Sequence, residues 1–335
     1  MIRVGIIGYG YWGPNLVRNF MHNVGTDVLM VCDRDQSRLA RFKEQYPSIS
    51  ICSNSSELIC SKNIDAVVIA TPVASHYELA LKALHEGKHI FIEKPITTNA
   101  QDACKLIDEA QKRNLVLLVD HTFIYTGAVR KMRDVINSPS FGLPQYYDST
   151  RINLGLIQSD VNVMWDLAVH DLSIMSYVIN QKPIAISATG HSHLNDRPET
   201  VAFLTIFFDS NLIAHINVSW LSPVKIRQTL IGGSNQMIVY NDLETNEKIK
   251  IYDKGITLTQ SADEIQKLLI SYRTGDLWCP KINEIEALQV EVDHFVNCIK
   301  GLEQPLSSGE KALEIVRILE CANISMKNRG EPINL

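Results

Sequence analysis

The chain has 335 residues, 45% hydrophobic and 21% charged, with a formal net charge of -5. That is the make-up of a soluble globular protein too long for one core, so two domains are expected. A pI near 6.1 with no basic tract and no aromatic-and-arginine stripe excludes nucleic acid as the main partner and leaves only local basic pockets open.

No apolar run approaches the roughly 18 residues of a membrane span, and the N-terminus opens on a strand rather than on the pattern of a signal peptide. A cytoplasmic chain without a membrane partner is expected. The seven cysteines, an odd number with no CxxC pair, fit a reducing compartment, and Cys32 and Cys104 fall in apolar patterns that suit small buried thiols. No metal is assigned.

Ile2 to Ile7 is short, apolar and β-branched, the pattern of a buried strand, and the run "VGIIGYGYWGPN" continues it into Gly8, Gly10 and Gly13 at GxGxxG spacing. Pro14 suits the first turn of a helix, and Leu16, Val17 and Phe20 give that helix an inward face. A second strand, Asp27 to Cys32, ends at Asp33, about 20 residues after the last glycine, where a dinucleotide fold places the acid that binds the adenosine ribose. In that geometry Gly8 makes the tight turn, Gly10 admits the pyrophosphate and Gly13 packs helix on strand. Asp33 would repel the extra phosphate of NADP, whereas Arg34 would attract it or lie over the adenine. The cofactor expected is NAD.

The alternation continues with a helix Ser37 to Gln45, strands Ile49 to Cys52 and Asp65 to Ala70, a helix Ser75 to Glu86 and a strand His89 to Ile92. A helix Ala100 to Arg113 and a strand Leu115 to Val119 complete it. Right-handed βαβ crossovers and a parallel Rossmann sheet follow, with a domain boundary near residue 120. "FIEKPITTN" puts Glu93 and Lys94 past the carboxyl end of a parallel strand, the edge at which such sheets bind ligands. Taken alone, Lys94 is equally a surface lysine closing a turn.

After a helix Thr126 to Ile136 the pattern changes. Strands are predicted at Gln145 to Asn153, Ala185 to His193, Val201 to Phe208, Ile213 to Trp220, Arg227 to Ile231, Met237 to Tyr240 and Ile249 to Tyr252, with turns such as "FDSN" and "GGSN". Helices are predicted at Met164 to Ile179, Ile285 to Ile299 and Gly309 to Lys327. This is an α/β domain with an open, largely antiparallel sheet, spanning 121–335. "VAFLTIFF" is apolar on both faces, so one face is expected against helices and the other against a second subunit in a homo-oligomer.

Within "MWDLAVHDLSIM", Asp166 and His170 stand at i, i+4 and share a helix face. Histidine exchanges a proton near neutral pH, and a carboxylate one turn away orients it. An alcohol dehydrogenase needs such a base for the hydroxyl proton and a cation for the charge developing on oxygen, roles His170 and Lys94 can divide. An ordinary surface pair explains the same spacing, and a zinc site would lack a third ligand.

"GYGYWG", "IEKP" and the spacing of Asp166 and His170, in that order, resemble the glucose-fructose oxidoreductase, inositol dehydrogenase and rhizopine catabolism family. Ala70 to Pro95 is similar throughout, and the likeness runs the length of the chain, more loosely in the C-terminal sheet. It implies a Rossmann domain followed by an open-sheet domain, dimers or tetramers through that sheet, and an EKP lysine with an Asp-xxx-His motif at the catalytic centre. Carried over, Lys94 is the catalytic lysine, His170 the acid/base and Asp166 its partner. Tyr11 and Trp12 belong to the glycine loop, Thr71, Pro72 and His76 line the cofactor side, and Glu93 lies beside the nicotinamide.

"DHTFIY" (Asp120 to Tyr125) and Arg151 to Asp171 are similar to the branch that acts on nucleotide-linked sugars, including oxidation of the 3-hydroxyl of UDP-N-acetylglucosamine. On that likeness Tyr125, Arg151, Asn153, Gln158 and Asn162 join Lys94, Asp166 and His170 as substrate-binding candidates, although each alone fits a loop or edge-strand residue. The expected function is NAD-dependent oxidation of a secondary hydroxyl, at C3, of a nucleotide-linked sugar such as UDP-N-acetylglucosamine to the keto sugar. Reduction of a keto-sugar nucleotide, oxidation of inositol or another polyol, and a non-catalytic NAD-binding sensor are the alternatives.

Overall fold

Short β-branched runs separated by capped helices build the first sheet. Its strands are β1 (Ile2–Ile7), β2 (Thr26–Cys32), β3 (Ser50–Cys52), β4 (Ala66–Ile69), β5 (His89–Glu93) and β6 (Leu117–Asp120). They lie in the order β3-β2-β1-β4-β5-β6, every pair parallel. The direction of winding reverses between β1 and β4, which opens a crevice at the carboxyl ends of those two strands. The computed structural model describes residues 1–155, 157, 161–195, 197–258 and 270–335.

Helices α1 (Gly13–His22), α2 (Gln36–Gln45), α3 (Ser55–Ile59), α4 (His76–His85) and α5 (Ala100–Lys112) connect these strands. Pro14 opens α1, and Asp35, Asn54 and Asn99 cap α2, α3 and α5 by accepting backbone N–H groups of the first turn. Helix α3 was not anticipated: five residues are too few to show a helical period, although Leu58 and Ile59 are fully buried.

The chain forms two compact units, Met1–Tyr125 with Ile285–Glu320, and Thr126–Glu284 with Cys321–Leu335. The boundary drawn near residue 120 therefore differs from the structure in its second half, where 285–320 return to the first unit. The reason is packing. The apolar stripe of the helix Ala287–Ile299, which follows α6 (Gly127–Ile136) and α7 (Val169–Val178) and is labelled α8, places Leu288, Val292, Phe295 and Val296 in one core with Phe20, Phe91 and Leu118. Phe295 meets Phe91 edge-on at 5.5 Å. Periodicity identifies such a helix but not the core it joins. The last helix, α9, runs Gly309–Lys327.

The second unit holds β7 (Pro144–Leu154), β8 (Pro183–His191), β9 (Val201–Phe208), β10 (Ile213–Ser219), β11 (Leu221–Gly233), β12 (Met237–Asn241), β13 (Ile249–Tyr252), β14 (Gly255–Leu258), β15 (Ile270–Arg273), β16 (Leu277–Trp278) and β17 (Ile333–Asn334). Nine of them form one sheet in the order β16-β13-β12-β11-β7-β10-β9-β8-β17, and β14 and β15 form a separate hairpin. Every pair in the large sheet is antiparallel except β7 with β10. Along β9, Ala202, Leu204, Ile206 and Phe208 are buried while Phe203 on the other face is 45% exposed, so only one face of this apolar strand is covered within the chain.

Candidate functional site

In the first unit the glycines divide by what requires them. Gly8 has φ +101°, its N–H donates to the Cys32 carbonyl at 2.8 Å, and a Cβ there would stand 2.4 Å from the Ala70 oxygen. A Cβ at Gly13 would stand 2.4 Å from the Gly8 oxygen. Both are demanded by neighbouring backbone. Gly10 is not: a Cβ there would meet nothing closer than Arg38 Nη1 at 3.5 Å, an ordinary contact. A glycine here leaves the backbone at the start of α1 open to close approach, and the pyrophosphate of a dinucleotide would fit there. Tyr11 is exposed at the tip of this loop, while Trp12 turns inward and donates Nε1–H to Asp120 Oδ2 at 3.0 Å.

Asp33 is buried beside the loop at the end of β2. Its Oδ2 accepts the Tyr9 N–H at 2.6 Å and its Oδ1 the Asp35 N–H at 2.8 Å. Those bonds fix the carboxylate and leave lone pairs for two ribose hydroxyls. Arg34 is exposed.

Thr71 and Pro72 follow β4 at the same edge. His76 is buried, with Nδ1 2.9 Å from the Pro95 oxygen and Nε2 2.8 Å from the Thr71 oxygen. Burial pushes its pKa down while the two carbonyls push it up; a neutral ring donates to one of the two and an imidazolium to both, and in either form the side chain sits between the turn after β4 and the turn after β5 rather than lining an open surface. Glu93 ends β5, Lys94 follows half-buried, and the Lys94–Pro95 peptide is cis. The Lys94 N–H donates to Glu93 Oε2 at 3.2 Å. Burial first, then Asp120, holds the Glu93 carboxyl well above the usual range. Next to Asp120, burial pushes the His121 ring down to about 4.

In the second unit, Tyr147, Ser149 and Arg151 alternate on one face of β7 and meet Asp171 of α7. Arg151 donates Nε–H to Asp171 Oδ2 at 2.7 Å and Nη2–H to Oδ1 at 3.2 Å, with both side chains at most 3% exposed. Ser149 Oγ donates to the same carboxylate at 2.7 Å. Arg151 thus ties strand to helix, where the sequence suggested a ligand for sugar or diphosphate. Asn153 lies two residues further along that face, half-buried.

Asn162 is also anchored within the fold. Its Oδ1 accepts the Met164 and Trp165 N–H groups at 3.2 and 3.4 Å, and its Nδ2 donates to Glu199 and Asn323. It caps the helix it was expected to flank as a sugar ligand. That helix begins as a π-helical turn, Met164–Ala168, before α7, an irregularity concentrated at functional sites. Asp166 stands in the π turn and accepts Trp220 Nε1–H at 3.0 Å, and His170 follows at the start of α7 with a buried Nδ1. Tyr125 lies in the first unit, 1% exposed, with its hydroxyl 2.9 Å from Ser307 Oγ. It is a core residue of that unit. Gln158 lies outside the described residues.

Sequence reasoning missed Asp120, His121 and Glu291. The signal for Asp120 was an acid closing the apolar run "LLVD". For Glu291 it was an acid on the apolar stripe of α8, three residues after Leu288 and four before Phe295. Among the described residues no group of His, Cys, Asp and Glu is arranged to hold a metal ion, and no helix is long and apolar enough to cross a membrane.

Residues 2–121 match the model of an oxidoreductase family with an NAD-binding Rossmann fold, and 129–239 match the GFO/IDH/MocA C-terminal domain. The UDP-N-acetylglucosamine 3-dehydrogenase of Acidithiobacillus ferrooxidans is 25% identical over 300 residues, covering 89% of this chain and 88% of that protein. The scyllo-inositol 2-dehydrogenase (NAD(+)) of Bacillus subtilis is 22% identical over 349 residues, covering 100% and 96%. The solved structure of the A. ferrooxidans enzyme superposes with a TM-score of 0.82 at 22% identity over 98% of each chain. GenD2 from gentamicin A biosynthesis, solved with NAD, superposes at 0.83 with 18% identity, covering 100% of this chain and 96% of that one. The chain belongs to the GFO/IDH/MocA oxidoreductases, enzymes of sugars and polyols whose Rossmann domain binds NAD.

Proposed function

We propose that the chain oxidises a ring secondary hydroxyl of a nucleotide-linked sugar, at C3 of a UDP-amino sugar such as UDP-N-acetylglucosamine, to the ketone. What carries this reading is the likeness, over most of both chains, to the A. ferrooxidans UDP-N-acetylglucosamine 3-dehydrogenase, together with Lys94, Asp166 and His170 in this sequence. Bound NAD supplies the hydride acceptor. His170 takes the hydroxyl proton, the Lys94 ammonium hydrogen-bonds to the oxygen as negative charge develops there, and Asp166, held by Trp220, orients the imidazole or a sugar hydroxyl. The bareness of Gly10 and the fixed carboxylate of Asp33 support the NAD half of this assignment.

A second reading, oxidation of a free polyol, is favoured by the inositol dehydrogenase relative. Absorbance of NADH with a panel of UDP-sugars and inositols separates the two: turnover confined to inositols selects the second. Lys94→Ala and His170→Asn should each lower kcat by roughly a hundredfold or more while NAD affinity stays within about twofold. Equal loss of NAD affinity would make both residues structural. A homo-oligomer through the C-terminal sheet belongs to the same proposal, supported by Phe203 and Ile213, each 45% exposed, on the face the chain does not cover.

A further inference from the structure

Three carboxyls meet under one helix at the carboxyl edge of the first unit's sheet. Glu93 and Asp120 are partners across the parallel pair β5 and β6, so their side chains leave the sheet on one face. Two residues earlier on that face stand Phe91 and Leu118, packed with Leu288, Val292 and Phe295 of α8. Glu291 projects from the same stripe and is 0% exposed.

Only Asp120 is well supplied with donors. Its Oδ2 accepts Trp12 Nε1–H at 3.0 Å, and its Oδ1 accepts the Thr122 N–H at 3.2 Å and the Thr122 hydroxyl. Neither oxygen of Glu291, nor Oε1 of Glu93, has a partner at good hydrogen-bond geometry, and the His121 backbone N–H faces Glu291 without closing such a bond. Asp120 and Glu291 are buried and Glu93 is half-buried with its Oε1 shielded; three carboxylates so placed repel one another and lose hydration, so the set cannot carry three charges. A proton on each glutamic acid gives it a donor, and Asp120 is the acceptor that both face. Burial, and then Asp120, accordingly hold both Glu93 and Glu291 well above the ordinary carboxylate range. The other titratable groups nearby are Lys94 at the end of β5, the neutral His121 at the end of β6, and the Tyr125 phenol, itself pushed up by burial.

We propose that Glu291 is a positioning residue for the cofactor loop: as a carboxylic acid it hydrogen-bonds to Asp120, and Asp120 holds the indole of Trp12 between Gly10 and Gly13. Glu93, Asp120 and Glu291 then share two protons and one negative charge. The inference depends on the NAD half of the functional reading and on no substrate.

Infrared spectra of the full chain at neutral pH test the protonation directly. A protonated-carboxyl C=O band should be present, losing one part of its intensity in Glu291→Gln and another in Glu93→Gln. A wild-type spectrum without that band, or one unchanged in both variants, overturns the proposal. NAD titration tests the positioning: Glu291→Leu should weaken binding roughly fivefold, and Glu291→Gln, whose amide still donates to Asp120, should stay within about twofold. Equal weakening by Gln and Leu, or a folded Leu variant with unchanged affinity, would reduce Glu291 to core packing. Should the Leu variant not fold, the infrared result decides alone. Neither measurement uses a sugar, so a failed substrate search and a failed carboxyl set remain distinguishable.

Discussion

Each unit buries charge between a sheet face and a covering helix, and the two do it in opposite ways. Under α7, Arg151 and Asp171 carry opposite charges and neutralise each other through two hydrogen bonds, with Ser149 completing the shell. Under α8, Glu93, Asp120 and Glu291 carry the same charge when ionised and shed all but one of those charges only through protons. Burial imposes the same condition on both, that little net charge be left without compensation. The choice of device has consequences: a guanidinium supplies its charge without a titrating proton and suits a scaffold, whereas a proton-sharing set responds to pH and bears on the loop it holds.

The largest test falls on the paired device. Arg151→Met leaves the Asp171 carboxylate buried with Ser149 and without its cation, which should destabilise the second unit by about 3–5 kcal/mol in urea titrations. Arg151→Met combined with Asp171→Leu removes both charges and should recover most of the loss, because paired apolar residues fill such a site without a desolvation penalty. A single variant costing less than about 1 kcal/mol would mean that Asp171 finds a proton or water of its own, and the contrast between the units would collapse.

The proton-sharing device should show itself in the pH dependence of stability. Both glutamic acids have folded-state pKa values raised above the roughly 4.3 of an unfolded chain. Their contribution is therefore whole below about pH 4.3 and is lost as pH rises toward the folded values. In that window each proton kept by the folded chain and released on unfolding makes stability fall by about 1.4 kcal/mol per pH unit. Glu291→Gln removes one such proton, so urea midpoints measured between mildly acid and neutral pH should fall less steeply than in the wild type. Parallel curves would mean that Glu291 is ionised in the folded chain.

What was legible in the sequence follows from how far apart the cooperating residues are. The glycine loop, the acid after β2 and the lysine after β5 are read from local runs whose spacing is set by the backbone, and the six-stranded parallel sheet follows from their alternation. Asn162 carried a readable signal, a short amide just ahead of a helix, yet its polarity suggested a ligand. Arg151 misled for a related reason: a polar residue alternating along a strand marks a face, and nothing local says that Asp171 on a later helix will fill it. The π turn holding Asp166 leaves no compositional mark. Glu291 stands on its apolar stripe in plain view, but its meaning needs Asp120, which the fold alone supplies.

The smallest effect tests whether the cofactor loop is truly coupled to the carboxyl set. Trp12→Phe keeps most of the ring's packing and removes the donor to Asp120, a neutral-to-charged hydrogen bond whose loss should weaken NAD binding roughly threefold. If Glu291 acts on the loop only through Asp120 and Trp12, adding Glu291→Leu to this variant should cost less than the two single losses combined, since the path it would interrupt is already cut. Additive losses would mean that the two residues reach the cofactor independently. The proton-sharing set would then be a device of the first unit's core, matched to the ion pair of the second in kind of service as well as in burial.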